Sequence, residues 1–306
     1  MVTTYDSFGT IWIDLENPSK EELLGIQDKY GIHPVVVSEL TQPSLRAKVD
    51  LYAHYAYMIF RFPTVNINSE VHETAEIEVD FIVGKDFIIT THYTSIEPLY
   101  RMGRFLETGA MLNKEHKIEH AGFLFYALMR RLYQSSEDDL YHLRNHVKRV
   151  EEAIFRGEER KMVEVISRLN RMLINFWWST RSHAELLASF EIVAKNFWGD
   201  SFTYYTHSLS GEYLKIDKLI DGNKEVLSSL RDTNDSLLST KTNETMKALT
   251  IITAALLPAS IVINIFGMNT VDNPIVGEPN DFIMITGLTI LLSILTMAYF
   301  KIKRWI

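Results

Sequence analysis

The chain has 306 residues and a formal net charge of −8, with 46% apolar and 23% charged residues. No basic domain stands out to meet a phosphate backbone, which excludes nucleic acid as the main partner and suits a protein that gathers cations. The absence of cysteine excludes a disulfide framework and thiolate metal sites, and fits a reducing cytosol.

In chain order, Met1 to Thr10 is polar and carries Asp6, so no signal peptide is expected there. Residues 10–110 alternate strand-like and helix-like signals. Ile11-Trp12-Ile13 reads as a strand, and Pro18-Ser19-Lys20-Glu21-Glu22 opens a helix with an acidic first turn. Tyr55 to Phe62, Ala75 to Val83 and Phe87 to His92 are β-rich, and the Gly84-Lys85-Asp86 turn predicts a hairpin between the last two. From Glu97 strand signals vanish. Helical periodicity runs through 116–156, breaks at Gly157, resumes over 159–197, breaks near Gly199-Asp200 and then continues. The spacing predicts two helices of about 40 residues in an antiparallel hairpin about 55 Å long. The fold class is α+β with helices dominant.

Ala248 to Phe266 and Phe282 to Phe300 are each 19 residues without a charged side chain. About 20 apolar residues cross the hydrocarbon layer as a helix, so both are expected to span it. Lys301, Lys303 and Arg304 follow the second run beside Trp305, and Lys241 and Lys247 precede the first; the loop 267–281 has Asp272, Glu278 and Asp281 but no Lys or Arg. Basic flanks stay cytosolic, which places both ends inside and a short acidic loop outside. The expected divisions are 1–110 (α/β), 111–200 (hairpin), 201–247 (stalk), 248–266 and 282–300 (spans), 267–281 (loop) and 301–306 (tail).

Stepping back from Asn264 at alternating intervals of 4 and 3 meets Ser260, Leu257, Thr253, Thr250, Met246, Asn243, Ser239, Ser236, Asp232, Ser229 and Glu225. These twelve residues form one narrow stripe, the geometry of a coiled-coil seam. A dry seam would be Leu, Ile or Val, yet this one is hydroxyl, amide and carboxylate. Two readings fit: hydroxyls bonding back to their own helix on a solvated face, or polar groups facing a watery cavity at membrane depth. Two spans cannot enclose a pore, so in the second reading several copies of the chain surround an axis. Met246 and Leu257 would then form rings narrow enough to dewet.

His116 with His120 and His142 with His146 have i, i+4 spacing but lack the His-Glu-x-x-His form of a zinc hydrolase, and read as solvated surface histidines. Phe176-Trp177-Trp178 and Phe197-Trp198 read as packing anchors, and Glu137-Asp138-Asp139 and Glu151-Glu152 as solvated helix faces. No phosphate-binding glycine loop, nucleophile elbow or catalytic triad is present, so no enzyme is expected.

The first span ends in Gly267-Met268-Asn269. Thr242-Asn243-Glu244, Met246-Lys247-Ala248-Leu249-Thr250-Ile251-Ile252 and Pro258 precede it, and an acidic loop and basic tail follow. Farther back stands Gly31-Ile32-His33-Pro34 before the Tyr55 to Phe62 strand. In these motifs the chain closely resembles the CorA family of magnesium channels, over about residues 10 to 306 and most strongly from 240 to 269. The resemblance implies a cytosolic αβα domain, a stalk helix running into the pore-lining span, and a funnel-shaped homopentamer in the inner membrane with both termini cytoplasmic. It implies an Asn269 ring at the outer mouth on a turn shaped by Gly267 and Met268. It matches Asn243, Met246, Leu249, Leu257 and Ser260 to pore positions and Asp232 to a carboxylate ring; of the residues it implies, only Leu249 and those of the mouth lie off the stripe. No permanent cofactor is implied, only Mg2+ or another divalent cation as the transported ion. The family's regulatory acids correspond to Ser38-Glu39, leaving Glu39 as a candidate ligand for a regulatory cation, and to Ser208, flanked by His207 and Leu209. The longer loop Thr270 to Asp281 is similar to that of the zinc-transporting ZntB branch. Three function classes therefore stand: a passive Mg2+ channel that also passes Co2+ or Ni2+, a proton-coupled Zn2+ transporter, and a non-conducting sensor, which would need an output domain that is not evident.

Overall fold

The computed structural model describes residues 1–7, 10–44, 46–65, 74–112, 120–268, 275–277 and 279–303. The chain forms two compact units, Met1–Arg231 and Asp232–Ile306.

The first unit is built on a six-stranded sheet. Its strands are β1 (Val2–Ser7), β2 (Thr10–Glu16), β3 (Lys48–Leu51), β4 (Tyr55–Val65), β5 (Thr74–Gly84) and β6 (Phe87–His92), in the spatial order β1-β2-β6-β5-β4-β3. All neighbours are antiparallel except β2 and β6, which run parallel. The expected hairpin at Gly84-Lys85-Asp86 forms, with Val83 opposite Ile88. Strand β4 shows no alternation of apolar and polar residues, because both its faces are covered: every side chain from Tyr55 to Phe60 is buried. The edge strands β1 and β3 were not expected from their polar sequences; pairing with β2 and β4 supplies what local pattern does not.

Helices α1 (Lys20–Tyr30) and α2 (Pro34–Glu39) cover one face, burying Leu23, Ile26, Val36, Val37 and Leu40 against Ile13, Leu15, Tyr57, Ile59, Ile82 and Ile89. Helix α1 starts where expected, because Ser19 and Glu22 form a reciprocal capping box. It stops at Gly31, whose φ of 63° lies in the left-handed region that glycine adopts without penalty. On the other face, Phe60, Phe62 and Phe81 meet Phe125 and Tyr133 of α4 (Ala121–Phe155) and His183 of α6 (His183–Trp198). The remaining elements of this layer are α3 (Glu97–Leu112), which periodicity had not separated, and α5 (Glu159–Thr180).

The hairpin corrects one expectation. Gly157 turns the chain at φ 94° as anticipated, but the returning arm is not one helix over 159–197; it divides at Arg181-Ser182. In the last turn of α5, the Ser179 and Thr180 hydroxyls donate to the carbonyls of Asn175 and Phe176 at 3.0 and 2.9 Å, a back-bonding that bends helices. Immediately beyond, His183 is drawn into the core, bonded to the Tyr133 hydroxyl at 3.0 Å and the Arg61 carbonyl at 2.9 Å. Burial lowers its pKa to about 4, so it is neutral at pH 7. Trp178 is a second correction. It is 52% exposed rather than a packing anchor, with the Arg181 guanidinium 3.9 Å above its ring. Phe176 and Trp198 do pack inward, Trp198 stacking on His120 and donating to the Lys85 carbonyl at 3.0 Å.

Helix α7 (Thr203–Phe266) contributes to both units, and α8 (Asp281–Ile302) belongs to the second. Both are long and apolar enough to cross a membrane.

Candidate conduction face

The stripe is on the outside. In the first unit Glu225 and Ser229 are exposed on α7. In the second, Asp232, Ser236, Ser239, Asn243, Met246, Thr250, Thr253, Leu257, Ser260 and Asn264 are all exposed in a single chain, as is Leu249. Opposite them, Ala254, Ala255, Pro258, Ala259, Val262 and Phe266 lose exposure, and on α8 the same is true of Ile285, Thr289, Leu292, Ser293, Thr296 and Phe300. At one end of this pair, Ile263, Phe266 and Gly267 share an apolar crevice of about 370 Å³ with Phe282, Ile285, Thr289 and Ile290. Helix α7 therefore turns its small, apolar face to α8 and its hydrophilic edge away.

The hydroxyls on that edge have a defined polarity. Thr250 donates to the Met246 carbonyl at 2.8 Å and Thr253 to the Leu249 carbonyl at 2.9 Å. The back-bonding reading thus holds for their protons, and each exposed hydroxyl oxygen keeps lone pairs able to accept. The waters around a small divalent cation point their hydrogens outward, so acceptors are the lining such an ion needs.

Helix α7 ends at Gly267, whose amide donates to the Ile263 carbonyl at 2.8 Å. A methyl group on this residue would lie 2.9 Å from the same carbonyl oxygen, so only glycine fits the turn. Met268 is exposed, while Asn269, Asp272 and Glu278 lie outside the described residues, as do His116, Arg304 and Trp305. Asp281, counted among the loop acids, has a local role: it accepts from the Gly277 amide at 3.1 Å and the Phe282 amide at 2.6 Å, organising the start of α8.

The family model for the CorA-like Mg2+ transporter protein matches residues 8–304. The chain belongs to this family. It is accordingly a transporter and not an enzyme. It is 22% identical over 305 residues to the cobalt/magnesium transport protein CorA of Thermotoga maritima, covering 98% of this chain and 85% of that one. The complete structure of the CorA magnesium transporter from Methanocaldococcus jannaschii superposes with a TM-score of 0.82 at 22% identity, covering 99% of this chain and 94% of that one. The ZntB cytoplasmic domain from Vibrio parahaemolyticus matches with a TM-score of 0.64 at 11% identity, over 78% of this chain and 98% of that one. These structures establish the shared fold.

Within the family frame, the regulatory candidate Glu39 stands at the end of α2 with its carboxylate 2.6 Å from Lys48 Nζ, which also reaches Asp50 at 2.7 Å. Sequence inspection missed this pairing, because Lys48 lies on an edge strand that only the fold brings beside α2. Ser208 is engaged within its own unit, 3.2 Å from the Tyr126 hydroxyl. Glu137, read as part of a solvated face, pairs with Lys215 at 2.6 Å. His142 is exposed, and among the described residues no group of three or more His, Asp or Glu side chains is placed to hold a metal ion.

Proposed function

We propose that copies of this chain, five by the family pattern, assemble about an axis with the α7 edge inward and conduct Mg2+ passively across the inner membrane. The observation that carries this is the outward polar edge of a membrane-length helix whose opposite face is apolar. Thr, Ser and Asn groups at that depth are stable only beside other copies or water. Asp232 and Glu225 attract the cation, the Thr250, Thr253, Ser260, Asn243 and Asn264 oxygens accept hydrogen bonds from its water shell, and Met246, Leu249 and Leu257 form apolar constrictions that empty of water when closed. Asn269 at the outer mouth receives the hydrated ion through its carbonyl oxygen, on the turn that Gly267 and Met268 shape. Membrane potential drives entry, worth about 2.3 kcal/mol per charge per 100 mV. Lys241, Lys247, Lys301 and Lys303 keep both ends of the spans cytoplasmic. Lys48 already holds Glu39, so a regulatory cation at that carboxylate competes with a tethered ammonium group.

The test is ion flux into liposomes containing the purified protein, comparing Mg2+, Co2+ and Zn2+ with and without a proton gradient. Saturable Mg2+ entry that is indifferent to the gradient is expected. Zn2+ entry that requires the gradient would instead assign the coupled-transporter mechanism, and absence of flux for every ion would leave the sensor class.

A further inference from the structure

The face of the sheet under α1 and α2 is not wholly apolar. Asp80 on β5 stands between Ile59 of β4 and Thr91 of β6 in the register and is 1% exposed. Neither of its carboxylate oxygens has a hydrogen-bond partner of normal geometry, and the same holds for the buried hydroxyls of Tyr57, Thr91 and Tyr93. Tyr93 is directed at Asp80 without closing a bond of ordinary length and angle. Asp14, on the opposite face, shows what a held carboxylate looks like here: it accepts from the Thr90 hydroxyl and lies 3.2 Å from His92 Nε2.

Among the described residues no cation forms an ion pair with Asp80, and the basic groups of this region are engaged with other carboxylates. Lys48 of β3 lies 2.6 Å from Glu39 of α2 and 2.7 Å from Asp50 of β3. Arg61 of β4 lies 3.1 Å from Glu76 of β5 and 3.8 Å from Glu78, and donates to the Ser44 carbonyl at 3.1 Å. Glu78 also accepts from the Ser44 amide at 2.8 Å. From α1 come Leu23 and Ile26, with no charged side chain. Asp80 is thus the surplus carboxyl: buried, between Glu78 and Glu39, with both basic groups engaged elsewhere. An ionised carboxylate in that position is very costly, whereas a protonated one is not.

We propose that Asp80 is a proton-binding site, its carboxyl carrying a proton in the folded protein and its proton release opening the α2–β3 corner. Burial, then the charges of Glu78 and Glu39, raise its pKa well above the ordinary carboxylate range. A folded-state pKa above the unfolded one means stability that is complete only below the unfolded carboxylate value of about 4 and is lost as pH rises from there to the folded value. Release of the proton sets a new charge against Glu39 and Glu78 and draws Lys48 away from Glu39. The site stands whichever ion the protein carries.

The test uses the full chain in detergent, with thermal unfolding of wild type and Asp80→Asn from about pH 4 to pH 9. Asparagine keeps the shape and removes the charge. The melting temperature of the variant relative to wild type should rise steadily with pH from about pH 4 upward, by about 5 °C or more between pH 4 and pH 9. A variant less stable than wild type by the same margin at every pH would mean that an ionised Asp80 is held by the surrounding hydroxyls, and would overturn the proposal. Infrared spectra of the native protein provide a second readout that needs no stable Asp80 variant. A protonated-carboxyl band should be present at pH 7 and survive Glu78→Gln; its absence at pH 7, or its loss in Glu78→Gln, would equally overturn the assignment.

Discussion

Isoleucine and leucine meet opposite fates in the two units. In Met1–Arg231, Leu15, Ile59, Ile88, Ile89 and Leu124 are fully buried. In Asp232–Ile306, Ile252, Leu256, Ile263, Ile294 and Leu295 are each more than half exposed in a single chain, and among the described residues Val262 is the one buried apolar side chain. The first unit closes its core within one chain, so water alone accounts for its pattern. An apolar surface as large as the second unit's is stable only against lipid or other copies. What distinguishes α7 within that surface is the hydrophilic edge, which suits neither lipid nor a dry partner.

Four tests would break or sharpen this contrast. Asn269→Ala should reduce saturable Mg2+ entry into liposomes to the level of empty vesicles while the oligomer still assembles on size-exclusion chromatography; unchanged entry would remove the outer mouth from the mechanism. Phe60→Ala, in the closed core, should cost about 3–5 kcal/mol in denaturant unfolding, whereas Leu295→Ala on exposed α8 should cost under about 1 kcal/mol. Equal losses would mean that α8 is packed by its own chain. His183, neutral in the fold and with a pKa of about 4, takes up its proton first in the unfolded chain as pH falls. The stability of wild type relative to His183→Gln should therefore drop by about 2 kcal/mol between pH 6.5 and 5, at 1.36 kcal/mol per pH unit. A difference that is flat with pH would mean that His183 takes up its proton equally in the folded and unfolded chain, and would remove the burial effect. The smallest effect separates two adjacent leucines: Leu257→Ser, on the edge, should raise resting leak about fivefold, equivalent to about 1 kcal/mol of gating, and Leu256→Ser should leave it unchanged. Equal leaks would put the constriction elsewhere.

Much of the first unit could be read from short-range chemistry. The capping box at Ser19 and Glu22, the turn at Gly84-Lys85-Asp86 and the break at Gly157 each act within a few residues, and the fold has all three. The polar edge strands β1 and β3 could not be read, because their pairing is supplied by β2 and β4. Nor could the division at Arg181-Ser182, which depends on Tyr133 and Arg61, remote in sequence, reaching His183. The candidate site was legible as a stripe because a helix repeats its faces every three or four residues, whatever surrounds it. Its exposure in a single chain, and the bonding of the Thr250 and Thr253 hydroxyls back to their own helix, were decided only by the three-dimensional structure.

By itself the sequence determined the two apolar runs, the polar stripe, the acidic loop between basic flanks and the family motif. All of these are properties of composition and of helical period. Tertiary structure alone decided which charges meet. It set Lys48 on Glu39, engaged Arg61 with Glu76 and Glu78, and left Asp80 buried in the sheet with no ion pair among the described residues. The physical reason is that ion pairing and burial depend on distances of a few ångströms between strands and helices far apart in the chain, which no local pattern encodes.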